Sequence, residues 1–222
     1  MKYVKTSLII MMLINVSVLC MACTSSKEET VKQSIEIPSR LVAVDLGLPS
    51  GTLWANMNLG ATSPEEFGDY FAWGETTPKR SDTGKWNNYQ HVNGTTESCR
   101  DIGNDISGTN YDAAHVKWQR KWQIPTAEQF LELMLLCEYE LTSRNGIKGY
   151  LFTSNINSKS IFLPLAHEAG GVIGAFGCYW SSTIFEDDNG RADVFFMDEF
   201  NEVDVKSSSR CSALSIRPVC RP

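Results

Sequence analysis

One stretch of the chain carries apolar residues at helical spacing. Phe130, Leu133, Met134 and Cys137 stand at i, i+3, i+4 and i+7, so they share one face of a helix. Start signals precede them. Thr126 is a good N-cap and Gln129 follows three residues later, which makes a capping box. Pro125 and Phe130 are placed to staple the entry, and Glu128 meets the positive end of the helix dipole. The pattern predicts an amphipathic helix of roughly 12 residues.

Elsewhere the apolar positions come in short runs closed by turn residues, which reads as strands. Two such pieces flank Pro49-Ser50-Gly51, and Asp69 to Trp73 is a short aromatic one. After Asn145-Gly146 the pattern becomes short strands: Ile161 to Leu165, Cys178 to Thr183, Arg191 to Met197, Glu202 to Lys206 and Ala213 to Val219. Asp188-Asn189-Gly190 is a strong hairpin signal before Arg191. Residues 74–110 are rich in Gly, Asn, Thr and Ser, and a loop of that length is usually functional or partly mobile. Gly170, Gly171, Gly174 and Gly177 crowd a second loop. The sum is an α+β domain with a mixed, mostly antiparallel sheet, one main helix and long loops.

The first 22 residues break this pattern. Lys2 and Lys5 precede an apolar run from Leu8 to Leu19, too short to span a bilayer and typical of a secretion signal. The run ends in Leu19-Cys20-Met21-Ala22-Cys23, which resembles a bacterial lipobox with Cys23 as the lipidated residue. Cys20 stands where Leu is usual; an ordinary cleaved signal or an uncleaved anchor are the alternatives. Residues 23–40 read as a solvated tether, because they are polar and lack aromatics. Ser26-Lys27-Glu28-Glu29 resembles the acidic signal that carries lipoproteins of Bacteroidetes-type bacteria to the cell surface; a plain linker is the alternative. The expected location is therefore the outer membrane, lipid-anchored and surface-exposed, with residues 41–222 as the folded domain.

Charge narrows the partners. Losing the signal removes two lysines and no acid, leaving 18 Lys and Arg against 26 Asp and Glu, a net charge of −8. Phosphate backbones need basic patches, so nucleic acid is not expected. Five cysteines lie beyond Cys23, at 99, 137, 178, 211 and 220. Some can pair in an oxidising compartment, and an odd number leaves at least one over.

Six ordered motifs carry a family resemblance: "VDLGLPSGTLWANMNLGATSPEEFGDYFAWGET", "NDISGTNYDAAHVKW", "WQIPTAEQFLEL", "IFLPLA", "GCYWSST" and "LSIRPV". Together, over residues 42 to 220, they resemble the Fibrobacter succinogenes major paralogous domain found in lipoproteins of gut Bacteroidetes. The resemblance implies a C-type-lectin-like fold, related also to formylglycine-generating-enzyme domains, and no established activity. Gln123 stands where the family often has Arg, and Met57-Asn58 where a Cys is often nearby.

Catalytic chemistry is thin. "HEAGG" at 167–171 lacks the second histidine of a zinc protease helix, no GxSxG elbow is present, and only His91, His115 and His167 offer an imidazole base. Cys211 and Cys220 are reminiscent of the copper-binding pair of formylglycine-generating enzymes, but nine residues of spacing along one strand points them to opposite faces. Calcium is weighed at Asp101, Asp105 and Asp112, whose stretch is rich in oxygen donors; the spacing is not an EF-hand, and Asp112 equally suits the cap of a short helix. Glu186-Asp187-Asp188-Asn189 is a weaker candidate. The sugar-binding Glu-Pro-Asn and Gln-Pro-Asp triplets are absent. Trp54, Trp122 and Trp180 lie in the motifs and are read as core. Trp86 and Tyr89 sit among polar neighbours and are the expected ligand-binding aromatics. The expectation is a non-enzymatic binding module for a glycan or protein. A structural part of the envelope or fimbriae, and an enzyme related to formylglycine-generating proteins, are the alternatives.

Overall fold

A computed structural model describes residues 38–79, 86–94, 98–119, 121–169 and 174–221. Cys23, the proposed signal and residues 23–37 of the proposed tether lie outside them, while the last tether residues are described, with Arg40 O accepting from Asn56 Nδ2. The described residues form an α+β arrangement of three antiparallel three-stranded sheets and few helices. β1 (Ala43–Asp45) and β2 (Leu53–Ala55) pair around the Pro49-Ser50-Gly51 turn, and β9 (Val219–Cys220) joins β2. β3 (Cys137–Arg144), β4 (Ile147–Ser154) and β5 (Ser160–Pro164) form the second sheet. β6 (Phe176–Ile184), β7 (Arg191–Asp198) and β8 (Val203–Ser209) form the third.

Two helices carry regular caps. α1 (Ala113–Lys117) starts at Asp112, and α2 (Ala127–Leu136) starts at Thr126. The capping box is complete: the Gln129 amide donates to Thr126 Oγ1, and the Thr126 amide donates to Gln129 Oε1. α2 stops earlier than its apolar pattern suggests, because Cys137 turns extended (φ −117°, ψ 144°) and opens β3 directly. β3 is mostly exposed, so it carries little of the alternation that marks a half-buried strand. Its turn to β4 is Asn145-Gly146, with φ of 50° and 81°; two left-handed residues in a two-residue loop match the twist of a hairpin.

β6 and β7 are buried on both faces, and their alternation serves two clusters. Cys178, Trp180, Ala192 and Val194 join Met57, Phe71, Trp73, Trp118, Trp122 and Ile106 on one side. Tyr179, Phe195 and Met197 join Trp54, Phe130, Leu133, Tyr150 and Phe152 on the other. There α2 is held by Phe130, whose ring stacks on Phe195 at 4.7 Å and leans on Trp54 at 5.4 Å. Arg217 is fully buried and crosses between elements: it donates to Asn58 Oδ1, Ala55 O and Phe162 O. All three acceptors are neutral, and burial lowers its guanidinium to about 10.

The long loop is knit into the fold in its described parts. Residues 91–93 pair with 98–100 as a small ribbon, through Asn93 N to Ser98 O and Arg100 N to His91 O. The segment leading into the ribbon docks on residues 75–79: Glu75 accepts from Gln90 N and pairs with Lys79 at 2.6 Å, while Lys79 Nζ reaches Asn88 O. Gly74 permits the close approach, since a Cβ there would collide with Ile102 Cδ1 and φ is 81°.

Candidate functional site

The site is organised by a break in β6. The register between β6 and β7 shifts between Trp180 and Ile184. Around the break the backbone of 182–184 also pairs with other segments: Ser182 O accepts from Ile106 N, Ser182 N donates to Pro125 O, and Ile184 N, still in register with Ala192, donates to Asn104 O. A bulge of this kind frees backbone groups of a strand for another segment. Here the segment is 104–106, anchored by Ile106 in the core.

Beyond the break the β6–β7 hairpin turns through 185–190. Arg191 N donates to Asp188 O and Gly190 N donates to Asp188 Oδ1. Asn189 clips the turn to the ribbon. Its Nδ2 donates to Cys99 O, and its carbonyl and Oδ1 accept from Arg210 Nη1 at 3.0 and 2.8 Å. Between hairpin and loop lies a trough of about 450 Å³, lined by Asp101, Asn104, Thr183, Ile184, Phe185, Glu186 and Asn189. Ile184 and Phe185 supply apolar surface. The side chains of Asn104 and Glu186 are exposed and carry no hydrogen bond among the described residues.

A second cavity of about 450 Å³ lies across the 104–107 segment, lined in part by Asp105, Ser107, Lys121, Gln123 and Arg221. Its amides are already engaged. Ser107 Oγ donates to Gln123 Oε1, and Gln129 serves both the cap and Thr52 Oγ1.

The aromatics expected to bind ligand sit differently. Trp86 opens a 3-10 turn, Trp86–Asn88, and its side chain lies outside the described part. Tyr89 is only 3% exposed. Its hydroxyl donates to Trp73 O at 2.8 Å and accepts from Arg210 Nε at 2.9 Å, and burial raises it well above the usual phenol range. A ring so enclosed offers no face to a sugar, so Tyr89 is a packing residue. Its polar sequence neighbours gave no hint of Arg210, which stacks on Trp73 at 4.6 Å and on Tyr89 at 5.7 Å.

The three aspartates weighed for calcium do not act together. Asp112 is buried, with Oδ1 accepting from His115 N and Oδ2 from Gly108 N and Ile124 N. It is the helix cap, extended into a clasp on three segments, and burial still raises its carboxyl above the ordinary range. Asp101 and Asp105 close short local turns onto Gly103 N and Ser107 N. Among the described residues no three His, Cys, Asp or Glu side chains group as metal ligands. Asp101 lines the trough, while Asp105 lines the second cavity.

Cys211 and Cys220 fall in different clusters, the first with Tyr89 and Cys99, the second with the tryptophans. His91 Nε2 and His167 Nδ1 face the carbonyls of Gly74 and Glu168. Comparison with known proteins finds no matching family model, curated protein or solved structure.

Proposed function

We propose that this chain is a non-catalytic, lipid-anchored binding module that takes a saccharide in the trough between residues 101–104 and the β6–β7 hairpin. The observation that carries the reading is the trough itself. It sets Asn104 and Glu186, polar side chains with no hydrogen bond among the described residues, beside the apolar Ile184 and Phe185. A sugar ring presents an apolar face and a rim of hydroxyls, and such a pairing meets both. The anchoring half of the proposal rests on the lipobox ending at Cys23 and the acidic stretch after it. The six sequence motifs support a C-type-lectin-like reading of the α+β fold, with loops and hairpins on one side as the binding face. Against the copper-enzyme alternative, Cys211 and Cys220 occupy separate clusters.

The test is an array of purified mono- and oligosaccharides probed with the full chain. At least one saccharide should bind, and Glu186→Ala and Asn104→Ala should each weaken it by about tenfold, as expected for loss of a hydrogen bond to a charged or polar group. Lys121→Ala, in the second cavity, should leave binding unchanged. Retained binding in both trough variants overturns the site.

A further inference from the structure

Two thiols, Cys99 and Cys211, fall in one small buried cluster. Cys99 lies on the 91–100 ribbon, opposite Val92. Cys211 lies in the turn that leaves β8, where Ser212 N donates to Ser209 O. Both are 5% exposed, and they share a small buried cluster with Ala72 and Tyr89. The residue beside each thiol fixes the approach: Arg210 Nη1 donates to Arg100 O at 3.2 Å, and Asn189 joins the two by binding both Cys99 O and Arg210. Cys178 and Cys220 belong to a different, larger cluster. Cys137 lies in a third cluster.

We infer that Cys99 and Cys211 are a disulfide-forming pair, which on oxidation locks the 91–100 ribbon to the β8 turn and so fixes the wall of the trough. The chemistry is two thiol–disulfide exchanges with a small disulfide oxidant. One protein thiolate attacks a sulfur of the oxidant, forming a mixed disulfide and releasing one thiol. The second protein thiolate attacks the protein-side sulfur, forming the internal bond and releasing the second thiol. Two electrons and two protons pass from the protein to the oxidant. Burial makes both thiols inaccessible in the closed fold, so the exchange belongs to folding or to opening of the ribbon. The pairing leaves Cys137, Cys178 and Cys220 as buried thiols. It rests on the extracytoplasmic reading only for where an oxidant would be met.

The test supplies the oxidant, so it is independent of compartment and of any saccharide. The full chain is refolded in oxidised glutathione, alkylated while unfolded and unreduced, and cut with trypsin. Cleavage after Arg100 and Arg210 frees a peptide ending just past Cys99 and another starting at Cys211. The second also holds Cys220, because Pro218 blocks cleavage after Arg217, so fragmentation must place the bond. We expect the two peptides joined, two hydrogens lighter, through Cys211. Melting temperature should rise on the order of 10 °C over the reduced protein, and the rise should vanish in Cys99→Ser. Alkylation of both Cys99 and Cys211, or a bond from Cys99 to any other cysteine, overturns the pair. The mass measurement needs no variant, so a variant that fails to fold leaves it decisive.

Discussion

Arg210 shows how single residues hold this molecule. It is fully buried, it stacks on Trp73, and its guanidinium reaches Tyr89, Arg100 and Asn189. Arg210→Met leaves the carbonyls of Arg100 and Asn189 without that donor. We expect a loss of about 2–4 kcal/mol in urea unfolding, and faster proteolysis within 86–100. Asp193 gives the opposite lesson. It faces the first turn of α2, where burial and then the nearby Glu128 charge raise its carboxyl to about 6. A carboxyl raised above its unfolded value binds more protons folded than unfolded. Stability therefore falls as pH rises from about 4 to 6 and stays lower above it. Asp193→Asn should stabilise the fold at pH 7 by about 1 kcal/mol, a figure discounted because the group is partly solvated. The gain should disappear at pH 4, which unfolding curves at the two pH values would show. At this scale the tryptophans were legible: Trp54, Trp122 and Trp180 are buried, as their motif positions imply. Tyr89 was not, because its partner lies more than a hundred positions away. Asp112 was half legible: the cap could be read from the alanines that follow, but not the reach to Ile124.

Elements with local chemistry were read well. α2 announces itself through Thr126 and Gln129, and the Asp188-Asn189-Gly190 turn sits in the β6–β7 hairpin. The β3–β4 hairpin was not delineated, since no breaker separates α2 from β3 and β3 is too exposed to alternate. Thr126→Ala should cost about 1 kcal/mol, the usual loss of a cap, measured by thermal or urea melts. The trough depends on an irregularity that no local pattern reveals. Where β6 slips its register, the 104–106 segment takes its place beside Ser182 and Ile184. Loop 74–110 reads as irregular because its order comes from distant partners.

For the whole molecule, the proposals join at one place: anchored at Cys23, the domain would present the trough to its surroundings. Cys23→Ser should abolish fatty-acid labelling and release the protein from the membrane fraction; labelling that persists would place the modification elsewhere. The central claim concerns the trough, and hydrogen–deuterium exchange tests it most directly. A saccharide selected on the array is added to the full chain, and amide exchange is followed by mass spectrometry. Slower exchange at residues 101–106 and 183–190, with 121–129 unchanged, is the predicted result. Protection at 121–129, or anywhere other than the trough, would contradict it.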